Sequence, residues 1–325
     1  MTTRDRTLPL WRRARRRFYH QLLKLALFGA EHSSLRVGRA QGRLLAALGW
    51  RLRGRERQRA ETNLRLAFPD LDDAERRALL GRSTRLLGEN LHDGLAAPAL
   101  LRRPGFLREE DLQGRPSLSA ELRTLAAGGR GVLILTGHIG CWELLGAEVA
   151  RQVQEARLGK LGVVTGTIHN PAVDRLVQRR RARLGMEVLP RERGAGPILR
   201  HLRQGGIVAV LLDQNTRVDN ILVPFFGRLA PTPAGLARMA LRYGVPVLPV
   251  ALARAGTGHE IRRGPVWNPL PDRSRDPAAV REFLFWCNAQ LEIFIRRNPE
   301  EWVWFHQRWQ EDGHGAAGLR PREGT

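Results

Sequence analysis

A histidine and a carboxylate stand five residues apart, directly after a short apolar run. The run at 132–135 is continuous and partly β-branched, which indicates a strand buried on both faces, and a helical pattern starts at Leu144. On an ideal helix, residues five apart point about 140° away from each other, so His138 must lie in the turn if it is to meet Glu143. A neutral imidazole so placed can deprotonate a hydroxyl, while a carboxylate fixes its tautomer and stabilises the imidazolium.

The same residues also fit an ordinary start of a helix. His138 could cap the helix, and Glu143 could be a first-turn acid favoured by the helix dipole. Gly140 allows close approach to the backbone and is a candidate oxyanion-hole donor. Cys141 is predicted to be a small buried residue beside Trp142; an activated thiolate is the alternative. Spacing leaves these interpretations open, because catalysis requires convergent geometry.

Beyond residue 160 the hydrophobic pattern alternates between strands and helices. Strands are predicted at 161–165, 186–189, 207–212 and 245–252, helices at 171–184, 197–204 and 233–243, and an irregular segment at 213–232. Prolines open the predicted helices and glycines follow them, as is typical of helix ends. The pattern predicts an α/β fold with a central, mainly parallel or mixed sheet flanked by helices.

Several polar residues follow predicted strands, where ligands gather in parallel sheets. His138 and the pair Asp213 and Gln214 could therefore face one cleft. Asp213 could position a loop or orient an acceptor through hydrogen bonds, and a structural turn is the alternative. Asn170 either contacts substrate or caps the helix that starts at Pro171.

The charge of the chain is strongly positive. Lysine and arginine number 54 against 32 acidic residues, a formal net charge of +22. Nucleic acid, anionic lipid and an acidic protein all remain possible partners of such a surface, but no nucleic-acid-binding motif is found, so nucleic acid is not expected. Along the predicted helix 171–184, Arg175, Arg179 and Arg183 follow i, i+4, i+8 spacing and could bind phosphates or an acidic protein; a solvated face is the alternative.

Arginines bracket two short apolar runs, 22–30 and 44–50, near the N-terminus. Neither run reaches the roughly 20 residues that span a bilayer. The pattern favours a helix lying in the interface of an anionic membrane, with a solvated helical hairpin as the alternative. We predict a basic amphipathic membrane-associating arm at 1–60, one catalytic domain at 61–311 and a disordered tail at 312–325.

Motifs for other chemistries are missing from the sequence. Two cysteines support neither a disulfide framework nor a multi-cysteine zinc site. The sequence contains no Gly-X-Ser-X-Gly elbow, Walker loop or His-Glu-X-X-His motif. We therefore predict that a group passes directly from its donor to the hydroxyl that His138 deprotonates, with neither a metal nor another cofactor.

Five stretches in a fixed order resemble the lipid A late acyltransferase family, the bacterial lauroyl and myristoyl transferases, with phosphatidylinositol mannoside acyltransferases as related enzymes. They are the His138 to Glu143 box, Asp213 with Gln214, and residues 223–228, 231–238 and 304–309. The resemblance extends from about residue 63 to 308. The Phe-Pro-Glu-Gly-Thr block of glycerol-phosphate acyltransferases is absent, and the membrane span with which many members open is weak here.

The resemblance implies a glycerolipid-acyltransferase-like fold and an enzyme at the cytoplasmic face of the bacterial inner membrane, attached interfacially or by a single anchor. It would move a fatty acyl chain from an acyl carrier protein thioester to a hydroxyl of a lipid A precursor, with His138 as base and Glu143 as its partner. Phe225 and Phe226 would line an acyl groove, with core packing as the alternative. Arg308 would be the family's C-terminal arginine, stacked between aromatic rings and able to bind phosphate.

Two rival functions remain at this stage. The first is acylation of another glycolipid or lipid acceptor, with acyl-CoA or a carrier protein as donor. The second is a basic protein that binds a membrane surface or nucleic acid, in which the histidine and glutamate are structural.

Overall fold

The computed structural model describes residues 10–168, 170–215 and 219–309. Within these ranges the strands, in chain order, are β1 (Leu107–Glu109), β2 (Val132–Thr136), β3 (Leu161–Thr165), β4 (Met186–Pro190), β5 (Ile207–Leu211), β6 (Asn220–Phe225), β7 (Arg228–Pro233), β8 (Val247–Ala255) and β9 (Gly258–Arg263). The main sheet has the order β1-β9-β8-β2-β5-β3-β4, and β6 pairs with β7 in a separate antiparallel hairpin.

The helices of the described residues surround this sheet. They are α1 (Leu10–His32), α2 (Leu35–Leu52), α3 (Gly54–Ala67), α4 (Asp73–Leu95), α5 (Ala97–Leu100), α6 (Leu118–Ala126), α7 (Trp142–Glu155), α8 (Pro171–Arg183), α9 (Gly196–Arg203), α10 (Gly235–Tyr243) and α11 (Pro277–Arg297). Short 3₁₀ turns lie at Arg191–Arg193 and Pro299–Glu301. The predicted tail at 312–325 lies outside the described residues.

The sheet is parallel except where β8 meets β9. All five residues of β2, near its centre, are buried. Because side chains alternate across a strand, Leu133 and Leu135 enter one hydrophobic core while Val132 and Ile134 enter the other. A three-layer arrangement follows, and it confirms the predicted mainly parallel sheet flanked by helices.

The hairpin is where the prediction from sequence was wrong. The segment taken as irregular forms β6 and β7, joined by Phe226 and Gly227 at φ angles of 51° and 71°. Two central residues at positive φ suit the right-handed twist of a hairpin. Three prolines in the two strands hid the pattern, since proline normally argues against a strand. Pro233 accordingly ends β7, and α10 begins only at Gly235.

Helix α2 packs closely against α4 through small residues. A Cβ on Gly42 would lie 2.1 Å from the carbonyl oxygen of Gly88, and a Cβ on Gly38 would lie 1.9 Å from the ring of His92. The backbones can approach this closely only because these positions lack side chains. Among residues 10–168, 170–215 and 219–309, no helix has both the length and the apolar character to cross a membrane.

A buried carboxylate joins these N-terminal helices to the sheet. Asp93 of α4 is fully buried and receives two hydrogen bonds from Arg39 of α2, at 3.0 and 2.6 Å. It also accepts from Arg254 of β8 at 2.9 Å and contacts the rings of His92 and His259 at 3.2 and 2.8 Å. Burial alone would raise the pKa of Asp93, but these partners outweigh it and hold the pKa far below its usual range.

We expect Asp93→Asn to destabilise the protein by about 3–5 kcal/mol, because it leaves the buried guanidinium of Arg39 and the partly buried one of Arg254 without their counter-charge. Denaturant unfolding at neutral pH measures this loss. Because the folded pKa is lowered, the wild-type contribution should be complete at neutral pH and should decline as the pH falls below about 4. As a control, Glu155→Gln removes an exposed ion pair with Arg151 and should cost about 1 kcal/mol or less. Equal losses in the two variants would contradict this account.

Candidate active site

His138 and Asp213 meet at the carboxyl ends of two adjacent parallel strands. Thr136 of β2 is paired with Leu211 of β5, so the residues two positions further along each chain also lie side by side. The Nδ1 atom of His138 lies 2.9 Å from one carboxylate oxygen of Asp213, and the backbone amide of His138 donates to the other oxygen at 2.7 Å. The predicted convergence of these residues in one cleft is thus observed.

Asp213 is held in its ionised form. It is fully buried, and the indole Nε1 of Trp302 donates to it at 2.8 Å. Burial raises its pKa, but the charge and hydrogen bonds of His138, together with the bond from Trp302, hold the pKa well below its usual range. An ionised carboxylate can only accept, so Nδ1 of His138 carries a hydrogen, and in the neutral form of the ring the lone pair is on Nε2. This is the tautomer that a general base requires.

The other edge of the imidazole faces a second histidine. The Gln214 side-chain nitrogen lies 3.1 Å from Nε2 of His138 and 2.7 Å from Nε2 of His306. The two histidine rings are 5.0 Å apart between centroids, and the ring of Trp142 packs edge-on against His138 at 5.1 Å. Both nitrogens of the His138 ring therefore have polar neighbours, and Trp142 limits its rotation.

The carboxylate that contacts the ring of His138 is that of Asp213, not that of Glu143 as predicted. Both Glu143 oxygens are bound by Arg181 of α8, one of them at 3.2 Å from Nε. Glu143 lies in the first turn of α7, beyond the junction that carries His138, and its carboxylate is directed to α8. The prediction failed because the partner of His138 comes from 75 residues away.

Gly140 does not offer the oxyanion donor predicted for it. Its amide already donates to the backbone oxygen of Glu301 at 2.8 Å. Its φ is +59°, and a Cβ would lie 1.9 Å from the carbonyl oxygen of Leu252. Glycine is needed here because the chain passes against β8, not because a ligand approaches the backbone.

Cys141 is a buried thiol, as predicted. Its sulfur donates to the carbonyl oxygen of Asn90 at 3.2 Å, and burial raises its pKa, so it is not a thiolate at neutral pH. In the part of the chain that the structure describes, no group of three or more histidine, cysteine, aspartate or glutamate residues is placed to hold a metal ion.

The predicted polar contacts around α8 divide into two kinds. Asn170 is a cap: its side-chain oxygen accepts from the amide of Ala172 at 3.1 Å, and its nitrogen donates to the backbone of Arg16. Arg179 and Arg183 are exposed, and their part in substrate binding stays a prediction.

Phe225 and Phe226 belong to the core and do not line an open groove. Phe225 is fully buried and Phe226 is 5% exposed. Their rings pack against one another at 5.0 Å, and both contact Trp309. The prediction of an acyl-groove wall is therefore wrong, and the core alternative is confirmed.

Arg308 is a structural residue. It is fully buried, with its guanidinium 4.6 Å above the ring of Phe225, so the predicted stacking is confirmed. It donates to Pro231, Thr232 and Asn288, which leaves no open face for a phosphate. Burial lowers its pKa to about 10, against the opposing effect of Asp213 and Glu292. The predicted phosphate contact is contradicted, because this side chain joins the C-terminal segment to the hairpin and α11.

An apolar groove lies beside His138. Trp142 contacts both the groove and the imidazole. Most of the remaining wall is aromatic or aliphatic and includes Trp50, Leu80, Leu87, Trp304 and Phe305. A wall of this composition suits apolar groups.

Prediction from sequence missed three residues of the site. Trp302 holds Asp213, His306 faces His138 through Gln214, and Arg181 binds Glu143. His306 was part of a recognised stretch, 304–309, but only its arginine was singled out. For Trp302 and Arg181 the sequence carried no local signal, since their partners are distant in the chain.

The fold and site define a class: an α/β protein with a histidine–carboxylate pair suited to general-base chemistry, beside an apolar groove. The family model described as bacterial lipid A biosynthesis acyltransferase matches residues 23–311, and the chain belongs to this family. It is therefore an enzyme of acyl transfer.

Similar proteins support the assignment at low identity. The lipid A biosynthesis acyltransferase of Haemophilus influenzae is 24% identical over 264 residues, which are 80% of this chain and 78% of that protein. The lipid A biosynthesis lauroyltransferase of Escherichia coli K12 is 27% identical over 279 residues, 83% of this chain and 84% of its own. A phosphatidylinositol mannoside acyltransferase of Mycolicibacterium smegmatis is 25% identical over 188 residues, 57% and 58% of the two chains.

We expect Asp213→Asn to lower the rate of acyl transfer by about 10³- to 10⁴-fold, because the amide neither enforces the Nδ1 tautomer nor stabilises the imidazolium. Glu143→Gln, the matched carboxylate-to-amide change, should lower it by less than about tenfold, since its carboxylate pairs with Arg181 near the surface. Steady-state kcat of folded variants measures both. A larger loss of activity in Glu143→Gln than in Asp213→Asn would contradict this account and would favour Glu143 as the partner of His138.

Proposed function

We propose that this protein transfers a fatty acyl chain from an acyl carrier protein thioester to a hydroxyl of a lipid A precursor, with His138 as general base. The observation that carries the proposal is the His138–Asp213 pair, whose imidazole packs against Trp142 in the wall of an apolar groove. The names of the family and of its relatives support the acceptor.

The proposed reaction proceeds by direct transfer. Nε2 of His138 takes the proton of the acceptor hydroxyl as its oxygen bonds to the thioester carbonyl carbon. The tetrahedral intermediate collapses, the carbon–sulfur bond breaks, and the imidazolium returns the proton to the leaving thiolate. Asp213 stabilises the imidazolium between these two steps, so the proton balance closes without an added acid or base.

The groove is our proposed site for the acyl chain. Each methylene that it buries contributes about 0.8 kcal/mol, so the depth of the groove would select chain length.

Glu143 takes an indirect part in this proposal: through Arg181 it fixes α8 against α7, next to the turn that carries His138. The exposed Arg179 and Arg183 would attract phosphates of the acceptor or acidic groups of the carrier protein.

We further propose that α1 lies in the interface of the inner membrane at its cytoplasmic face. Trp11, Phe18, Leu22 and Leu25 are exposed, and their spacing places them on one side of the helix. Exposed arginines on the same helix include Arg12 and Arg15. An apolar stripe bordered by arginines suits an anionic lipid surface.

Transfer of a labelled acyl group from acyl carrier protein to a lipid A precursor tests the main proposal. We expect product with wild type and a loss of about 10²- to 10⁴-fold in His138→Ala, because the general base is removed. His201→Ala is the matched control, since this histidine contacts the backbone of Lys160 and lies outside the site. Equal activity in His138→Ala would remove His138 from the mechanism.

The choice of donor and acceptor is tested in the same assay. Product from acyl-CoA but not from the carrier protein would change the donor, and product only with another glycolipid would change the acceptor. If no product forms with any of these donors and acceptors, the proposal is contradicted.

Leu80→Trp narrows the groove and should reduce transfer of the longest acyl chains most.

Vesicle binding tests the membrane proposal. We expect Leu25→Glu to weaken binding to phosphatidylglycerol-containing vesicles by about tenfold, because it replaces an apolar contact with a negative charge. Leu270→Glu is the matched control: Leu25 is 68% exposed and Leu270 69% exposed, but Leu270 lies in the loop after β9. Equal effects in a sedimentation assay would show that the stripe on α1 is not the lipid contact.

A further inference from the structure

We infer that the side-chain amide of Gln214, held in place by His306, blocks Nε2 of His138. This contact, which we call the guard, keeps His138 from activating water until the acceptor hydroxyl displaces the amide. This inference rests on the proposed function, because it assumes that His138 is the base of a thioester-dependent transfer. It assigns a specificity role to two residues that the proposed reaction does not otherwise use.

The side-chain nitrogen of Gln214 lies between two ring nitrogens, 3.1 Å from Nε2 of His138 and 2.7 Å from Nε2 of His306. Asp213 already accepts the hydrogen on Nδ1 of His138, so Nε2 of that ring is an acceptor. The Gln214 amide has two hydrogens and can donate one to each ring. The lone pair that must take the substrate proton is thus occupied at rest.

His306 is neutral, and its backbone is anchored to α3. Burial, the nearby His138 and Arg59 lower its pKa to about 4, against the opposing effect of Asp213, so the ring is neutral at physiological pH and Nε2 can accept. Its backbone oxygen receives a hydrogen bond from Asn63 of α3 at 2.7 Å. His306 is therefore a fixed acceptor that keeps the amide over His138.

Without the Gln214 amide over Nε2, His138 would catalyse hydrolysis of the acyl donor. His138 retains a 19% exposed side chain beside the groove, so water can reach it. A water oxygen would bond to the thioester carbonyl carbon, the carbon–sulfur bond would break, and His138 would carry the proton from water to the thiolate. Free fatty acid and thiol would result, and the activated donor would be lost.

An acceptor lipid can open this guard where water cannot. Displacing the amide breaks a hydrogen bond, and the binding energy of the remote parts of a large acceptor can offset that loss. A water molecule has no remote part to bind. The hydroxyl also replaces the lost contact, because it donates to Nε2 and its oxygen can accept from the displaced amide. The site thus selects a lipid hydroxyl over water, because only the lipid has remote groups whose binding offsets displacement of the amide.

The test compares two rates in each variant: hydrolysis of acyl carrier protein thioester without acceptor, and acyl transfer with acceptor. We expect Gln214→Leu to raise hydrolysis by about two- to tenfold, the effect of one hydrogen bond, and to lower the ratio of transfer to hydrolysis. His306→Phe keeps a ring but removes the acceptor and should act in the same direction. The double variant should match Gln214→Leu alone, since both changes open one guard.

Gln58→Leu is the control, because Gln58 is exposed on α3 and should leave both rates unchanged. Thermal unfolding identifies variants that fail to fold, and either site variant alone suffices for the test. Hydrolysis that stays equal or falls in a folded Gln214→Leu or His306→Phe protein would overturn the inference. The hydrolysis assay needs only the donor, so a missing transfer product would count against the proposed acceptor without deciding the guard.

Discussion

One buried carboxylate determines the arrangement of the site. Asp213 accepts three hydrogen bonds, from the amide and the ring of His138 and from the indole of Trp302. A buried charge without such partners would be very costly, so the strand ends and the C-terminal segment have to converge on it. The position, tautomer and orientation of His138 all depend on this convergence.

The C-terminal segment after α11 is as important to the site as the sheet. It carries Trp302 beneath Asp213, His306 against Gln214, and Trp304 in the wall of the groove. Arg308 fastens the segment by donating to the β6–β7 hairpin and to α11, and its ring partner Phe225 belongs to the same hairpin. Arg308 and Phe225, which the sequence suggested as substrate contacts, therefore hold the C-terminal segment in place beside His138.

Both helical and sheet parts of the molecule depend on pairing buried charges. Asp93 accepts hydrogen bonds that join α2, α4 and β8. Asp213 joins β2, β5 and the C-terminal segment in the same way, so each carboxylate binds donors from elements that are distant in the chain. Such networks favour one arrangement, because an alternative packing would leave several polar groups unpaired. A chain with a net charge of +22 can place its few buried acids in this way, since donors are plentiful.

The sequence by itself determined the mainly parallel sheet, the approximate limits of β2, β3, β4, β5 and β8 and of α8 to α10, the position of His138 after β2, and the family. Apolar periodicity and the residues at helix ends are local signals, and they are sufficient for those conclusions. The proline-rich strands β6 and β7 were not predicted, because their stability comes from pairing and packing and not from strand propensity.

Only the tertiary structure decided which carboxylate serves His138, why Gly140 is glycine, and that Phe225, Phe226 and Arg308 are buried. Glu143 was the nearest acid in the sequence, but Asp213 is the nearest in space because β5 lies beside β2 in the sheet. Strand order is set by the packing of whole elements and by buried charge pairing, which act between residues far apart in the chain and leave no mark in local spacing.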